Sequence, residues 1–368
     1  MTASRLLLRL DAEIASAPTL LESDCKRAER AAYLARLGRF DEARAAMAEL
    51  QGRYGATPHV EISIAMNLAE GLISFFDNLG ADDTDKVQRA HALSVASGRQ
   101  QSRAICAAWL AHWAYSRLDM VTLAEHVREA LTHADDANHA ARARACLVAA
   151  QALHLAGRLD LAKPWYDRSR ICATDRGDDV TVRAILHNMA WLRMLMFRQA
   201  VLTGDGQAHA GRHALLSAES AESLDLLAGD TSWSELKPML KAQIASLHGD
   251  ADEALALYRR HLPAAREPSR LQANLLADKA WCHARLGQRD DALQAADASL
   301  NSLADDTQID DRAATHSRLA QAFDILEDAR KEAQMLAATQ AWRQFSVLQQ
   351  QAVDLLAGLD ERGAAQRV

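Results

Sequence analysis

Two histidine pairs are the first places to look for chemistry in this chain. His209 and His213 stand four residues apart, with Asp205 nearby. On a helix, that spacing turns two imidazoles toward one metal ion. Gly211 lies between them and no acidic general base follows, so the pattern is not that of a metallopeptidase helix. His133 and His139 straddle a loop that carries Asp135 and Asp136. His112 and His283 fall on helix faces that pack, where buried, hydrogen-bonded imidazoles are expected. The chain has no G-x-S-x-G, no phosphate-cradling G-x-x-x-x-G-K and no dinucleotide-binding glycine pattern. Thr203-Gly204-Asp205-Gly206 lacks the remaining ligands of a calcium loop. The acid pairs Asp82-Asp83, Asp135-Asp136, Asp178-Asp179 and Asp305-Asp306 sit between helical runs, where they cap helices and favour solubility. Nothing brings two carboxylates together across a defined pocket. No catalytic residue, metal or cofactor is expected, and the chain reads as a binding protein rather than an enzyme.

The elements that position side chains are helices. Alanine, leucine and arginine dominate the 368 residues, aromatics make up 5%, and there are six prolines. That is a helix-former composition, and no sheet is expected. The net charge of −7 lacks the basic footprint of a nucleic-acid binder. Five cysteines, an odd number with no C-x-x-C, read as core thiols in a reducing compartment. The segment Met1–Ala17 is too polar for a signal peptide, and no apolar run approaches the roughly 20 residues of a membrane span. The expectation is a cytoplasmic protein with neither membrane nor nucleic-acid partners.

A turn motif recurs along the chain. It reads Leu37-Gly38-Arg39-Phe40-Asp41-Glu42-Ala43, and returns around Gly157, Gly249 and Gly287. Degenerate anchors are placed at Gly80, Ser116 and Asp324. The interval between Gly157 and Gly249 fits two units, which gives eight helical hairpins. Five residues after the anchor stand Ala43, Val121, Ala162, Ala254, Ala292 and Ala329; nine after it come Met47, Tyr166 and Tyr258. Small residues there let the second helix approach the first. The glycine closes the first helix in a left-handed conformation. Asp41, Asp119, Asp160, Asp252 and Asp290 are expected to cap the second.

On these residues the chain resembles the tetratricopeptide repeat superfamily, in the long-period form (about 36–46 residues per unit) met in bacterial regulators. The resemblance covers roughly residues 20–340. It implies an all-α fold: a right-handed superhelical solenoid of about eight hairpins with capping helices at 2–16 and 340–358. Hairpins are expected at 20–54, 58–98, 99–135, 138–176, 179–229, 232–265, 268–304 and 308–338. The fifth, with a long first helix and the loop Thr203–Gln207, divides the array into halves, 1–178 and 179–368. It is either a drifted repeat or a hinge.

In that superfamily the first helix of each hairpin lines the concave surface. Counting back from the anchors, the resemblance points to a groove that includes Asn67, Arg103, Trp113, Arg144, Gln151, His154, Asn274 and Trp281. Arg103 and Arg144 are expected to be neighbours there. Either they clamp a carboxylate or acidic peptide with Trp113, Gln151 and His154, or they pair with Glu or Asp on adjacent helices. The leading expectation is a scaffold for an unidentified protein or peptide partner. A ligand-sensing regulator that changes curvature on binding is the alternative, and a metal-dependent enzyme built on His209 and His213 the outsider.

Overall fold

A computed structural model describes residues 4–77, 84–204, 216, 236–262, 269–305 and 307–365. Among the described residues there are sixteen helices and no strand. A lone N-terminal helix, α1 (Arg5–Ser16), precedes α2 (Leu20–Arg36) and α3 (Phe40–Tyr54). Then come α4 (Val60–Asp77) with α5 (Asp85–Ala96), α6 (Gln100–Ser116) with α7 (Met120–His133), and α8 (His139–Leu155) with α9 (Leu159–Arg176). The long α10 (Asp179–Thr203) follows. After it stand α11 (Leu236–His248) with α12 (Ala251–His261), α13 (Ser269–Arg285) with α14 (Arg289–Asn301), and α15 (Ile309–Ile325) with α16 (Lys331–Ala365).

One hydrogen bond makes the hairpins alike. The residue just past the turn's left-handed residue donates its N–H back five residues: Arg39 to Leu34 O, Arg158 to Leu153 O, Asp250 to Ala245 O and Gln288 to His283 O, each at 2.9–3.0 Å. This closure needs a left-handed residue just before it, and Gly38, Gly157, Gly249 and Gly287 have φ of 72–96°. The same bond joins Asp119 N to Ala114 O and Asp328 N to Phe323 O. Their left-handed residues are Leu118 (φ 57°) and Glu327 (φ 51°). The anchors expected at Ser116 and Asp324 are therefore two and three residues too early. A search for glycine or a small polar residue passes over a leucine that tolerates the strain.

The caps also differ from expectation. Asp41, Asp160, Asp252 and Asp290 lie inside the first turn of their helices, where they complement the helix dipole. Only Asp119 of that set caps, accepting from Thr122 N at 3.0 Å. The eighth hairpin's second helix and the expected C-terminal capping helix are one continuous element, α16. No glycine or proline interrupts Lys331–Ala357, so nothing stops the helix near residue 339.

Packing follows the repeat. α2 pairs with α3, α4 with α5, α6 with α7, α11 with α12 and α13 with α14, and α2 packs on α4 as α13 does on α15. Ala43, Ala162, Ala254 and Ala292 are buried between the helices of their hairpins, with Met47, Tyr166 and Tyr258 below them. Counting from Leu118, the equivalent of Ala43 is Leu123, which is buried, whereas Val121 is exposed. In α4, a Cβ on Gly71 would fall 2.5 Å from Val87 Cγ2, so glycine sets the approach of α5.

The chain forms two compact units: Met1–Leu153 with Arg158–Ile185 and Ala352–Val368, and His154–Gly157 with Leu186–Gln351. The sequence divided the chain between residues 178 and 179; the main division between the units falls at 185 and 186. In unit 1 the N-terminal helices meet the α9–α10 turn. Arg5 binds Asp179, Arg9 donates to Asp175 O, Arg176 bridges Glu13 and Glu29, and Arg36 binds Asp178.

Candidate functional site on the first helices

In unit 1 the first helices converge on an aromatic and arginine cluster. Trp109, His112 and Trp113 lie on successive turns of α6, and Phe75 and Phe76 on α4 meet them edge to face. Phe75 lies 5.3 Å from His112 and 4.9 Å from Trp113, and Phe76 lies 6.0 Å from Trp109, ring centre to ring centre. Two arginines reach the same tryptophan. The Arg144 guanidinium of α8 sits 3.9 Å from the Trp109 ring centre and that of Arg36 on α2 sits 5.9 Å away.

The two arginines differ in their partners. Arg36 is fully engaged at its fork: Nη1 donates to Asp178 Oδ2 at 2.8 Å, and Nη2 donates to Asp178 Oδ1 at 3.2 Å and to Thr181 Oγ1 at 2.7 Å. Thr181 in turn donates to Asp178 from its N at 2.9 Å and from its hydroxyl at 2.8 Å. Burial works against the Asp178 carboxylate, but the Arg36 charge and hydrogen bonds, with those from Thr181, hold it below the usual carboxylate range. Arg144 has no such partner. It is 8% exposed, and among the described residues no carboxylate or carbonyl accepts from its guanidinium. Burial and the nearby Arg36 charge lower its pKa to about 9, against the pull of Asp178. Burial, then Arg144 and Arg36, push His112 down to about 3, so its imidazole is neutral at pH 7.

Unit 2 has a buried polar network of its own. Asn274 Oδ1 on α13 accepts from Arg198 Nη1 of α10 and from Gln243 Nε2 of α11, both at 2.9 Å. Arg198 Nη2 donates to Asp311 at 2.9 Å, and Arg318 Nε donates to Asp278 at 2.8 Å beside the Tyr258 hydroxyl. Two arginines here face three buried carboxylates, Asp278, Asp310 and Asp311, and Arg318 also lies over Trp281, 4.5 Å from its ring centre. A shallow depression of about 380 Å³, edged by Asp250, Asp252, Glu253 and Arg285, lies at the α11–α12 turn. Its acids face solvent, and Arg285 at its edge lies 5.9 Å from the Trp281 ring centre.

Of the eight residues expected to line an open groove, Trp113, Arg144, Gln151, His154 and Asn274 are buried, and Asn67, Arg103 and Trp281 are half-buried. Asn67 donates to Ser63 O of its own helix. Arg103 is not a neighbour of the Arg144 site in function: its Nε donates to Glu129 of α7 at 2.6 Å, where His91 and His126 also bind. That is the paired alternative. Burial, with the charge of Arg193, lowers the pKa of His154 to about 4. His283 is satisfied by Gln288 at 2.6 Å, as its packing position implied. His209 and His213 lie outside the described residues, and among those described no group of three His, Cys, Asp or Glu is placed to hold a metal ion.

The sequence missed Arg36, Asp178 and Thr181; it put Trp109 and His112 on a packing face, and Trp109 does lie in the hydrophobic core, but His112, expected to be hydrogen-bonded, has no partner at Nδ1. Counted back from Leu118 by the same intervals, the stripe expected to face a groove on α6 holds Ile105, Ala108, His112 and Tyr115 rather than Arg103 and Trp113. Asp178 carried the signal of an acid pair before a helix, which reads equally as a cap.

No family model matches the chain, and no curated protein matches it. The class of protein therefore rests on the hairpins and on the side chains of their first helices.

Proposed function

We propose that the hairpins are tetratricopeptide-like repeats stacked with a right-handed superhelical sense. On this reading the chain is a binding protein that takes a ligand on the face formed by the first helix of each hairpin. One observation carries it. Arg36 Nε, His112 Nδ1, Trp113 Nε1 and Gln151 Oε1 in unit 1, and Arg198 Nε and Arg318 Nη2 in unit 2, are buried without hydrogen-bond partners. All six atoms belong to first helices or, for Arg198, to the long α10 that opens the fifth hairpin. A buried polar atom without a partner is destabilising by about 1–3 kcal/mol, so units that each keep such atoms on these helices have a use for them there. Catalysis is not part of the proposal.

The burial of five groove residues favours an enclosed small ligand or a peptide end over a long peptide lying in an open channel. It therefore favours a ligand-sensing protein over a passive scaffold. A thermal-shift screen of the purified chain against short peptides and metabolites tests this. A stabilising hit that is weakened by Gln151→Leu or Arg144→Met supports the reading; hits indifferent to every first-helix substitution contradict it.

A further inference from the structure

We propose that the seam where the N-terminal helices meet the α9–α10 turn is a charge-held gate over the aromatic cluster of unit 1. It stands closed in this structure and opens to let a small molecule reach the cluster. The gate rests on the first-helix binding face proposed above and supplies its entrance. An entrance is needed, because Trp109, Trp113 and Arg144 are buried, and the unpartnered Arg36 Nε, His112 Nδ1 and Trp113 Nε1 lie out of reach of solvent.

Arg36 belongs to both places. Its fork binds Asp178 and Thr181 on the turn, and its guanidinium carbon lies 5.9 Å from the Trp109 ring centre. Letting go of the turn therefore frees a side chain that lies over Trp109. The seam itself is polar. Residues 175–181 read Asp-Arg-Gly-Asp-Asp-Val-Thr, and the one fully apolar side chain among them, Val180, packs on the core that holds Trp109 and Trp113. The other ties are charged and graded in depth. Arg5–Asp179 is outermost, with its side chains 59% and 38% exposed. Arg176 to Glu13 and Glu29 lies between, and Arg36–Asp178 is innermost, at 9% and 10%. Arg9 adds a bond to the Asp175 carbonyl. Exposed ion pairs are weak and screened by salt, whereas buried apolar contact is not. Such a seam parts while the packing of α2 on α3 and α4, through Ala28, Ala31 and Leu34, stays intact. Glycine at 177 lets the two sides close tightly: a Cβ there would fall 3.2 Å from the Arg5 Cβ.

The test is hydrogen–deuterium exchange of the full chain in about 0.1 M and about 1 M sodium chloride, between which the screening length falls from about 10 to about 3 Å. At the higher salt, amides of α1 and of residues 177–181 should exchange together about threefold faster or more, with α13–α15 in unit 2 unchanged. Arg176→Met should start fast and respond less to salt. Arg5→Cys with Gly177→Cys supplies a lock, because Cβ atoms across a disulfide stand about 3.5–4.5 Å apart. In the oxidised lock the seam should lose its salt response. Acrylamide, a small neutral probe, should then quench tryptophan less than after reduction, and Trp109→Phe in the locked chain should remove most of that difference. Circular dichroism checks folding. Gly177 is left-handed, and if its substitution prevents folding, wild type and Arg176→Met decide alone. Seam exchange indifferent to salt in wild type, or quenching equal in the oxidised and reduced lock, overturns the gate. Hits from the peptide and metabolite screen that bind the oxidised and reduced lock equally, yet weaken in Gln151→Leu, overturn the gate and leave the first-helix reading intact. A salt-responsive seam with hits indifferent to every first-helix substitution overturns that reading instead.

Discussion

Arg144 and Arg103 illustrate what a repeat register decides. Both are arginines on first helices, and counting from Ser116 makes them equivalent. The turn that closes α6 is centred on Leu118, and the two-residue slip rotates Arg103 toward Glu129 while Arg144 faces Trp109. The residue types of the site were visible in the sequence; their facing was not, because a leucine in the left-handed region leaves no mark. His112 gives a prediction at this scale. Its folded pKa of about 3 lies below the ordinary 6.5, so between those values the unfolded chain binds more protons. The stability from the neutral imidazole is complete above about pH 6.5 and is lost as pH falls toward 3. The unfolding free energy from urea titration should drop by on the order of a few kcal/mol between pH 7 and pH 4. His112→Phe should flatten that slope; an unchanged slope would mean that other groups produce it.

Helix boundaries were largely legible. The glycine turns, the small residues after them and the tyrosines beneath are local signals, and they locate α2, α3, α8, α9 and α11–α14 within a few residues. Where a turn lacks glycine, composition says little, and a helix without a breaker, such as α16, runs on past its expected end. Glu327 is exposed and left-handed, so Glu327→Gly should raise stability by up to about 1 kcal/mol through relief of backbone strain. Leu118 holds the same conformation but buries its side chain, so Leu118→Gly should show no such gain. Equal thermal shifts for the two would contradict this account of the turns. Gly71→Ala in α4 should lower stability by about 1–3 kcal/mol, because its Cβ would collide with Val87 in α5.

At the scale of a whole unit, contacts appear that no period announces. In a stack where each repeat touches only its neighbours, residues 5–36 would not meet residues 175–181. In unit 1 they do, through Arg5–Asp179, Arg36–Asp178 and the bridge from Arg176 to Glu13 and Glu29. Burial opposes the Glu13 carboxylate, yet Arg176 and Lys26 draw its pKa down to about 2 from 4.5. A depressed acid contributes stability that is present above its unfolded value and lost as pH falls through the folded one. This tie should therefore weaken between about pH 4.5 and pH 2. Arg176→Met should speed hydrogen exchange in α1 at pH 7, and exchange there as slow as in wild type would show that the tie is dispensable.

The most direct measurement of the central claim is hydrogen–deuterium exchange of the full chain with and without a stabilising hit from the peptide and metabolite screen. The account predicts slower exchange in first helices, α6 and α8 among them, where buried polar atoms lack partners. Protection confined to the second helices, or spread evenly along the chain, would contradict it.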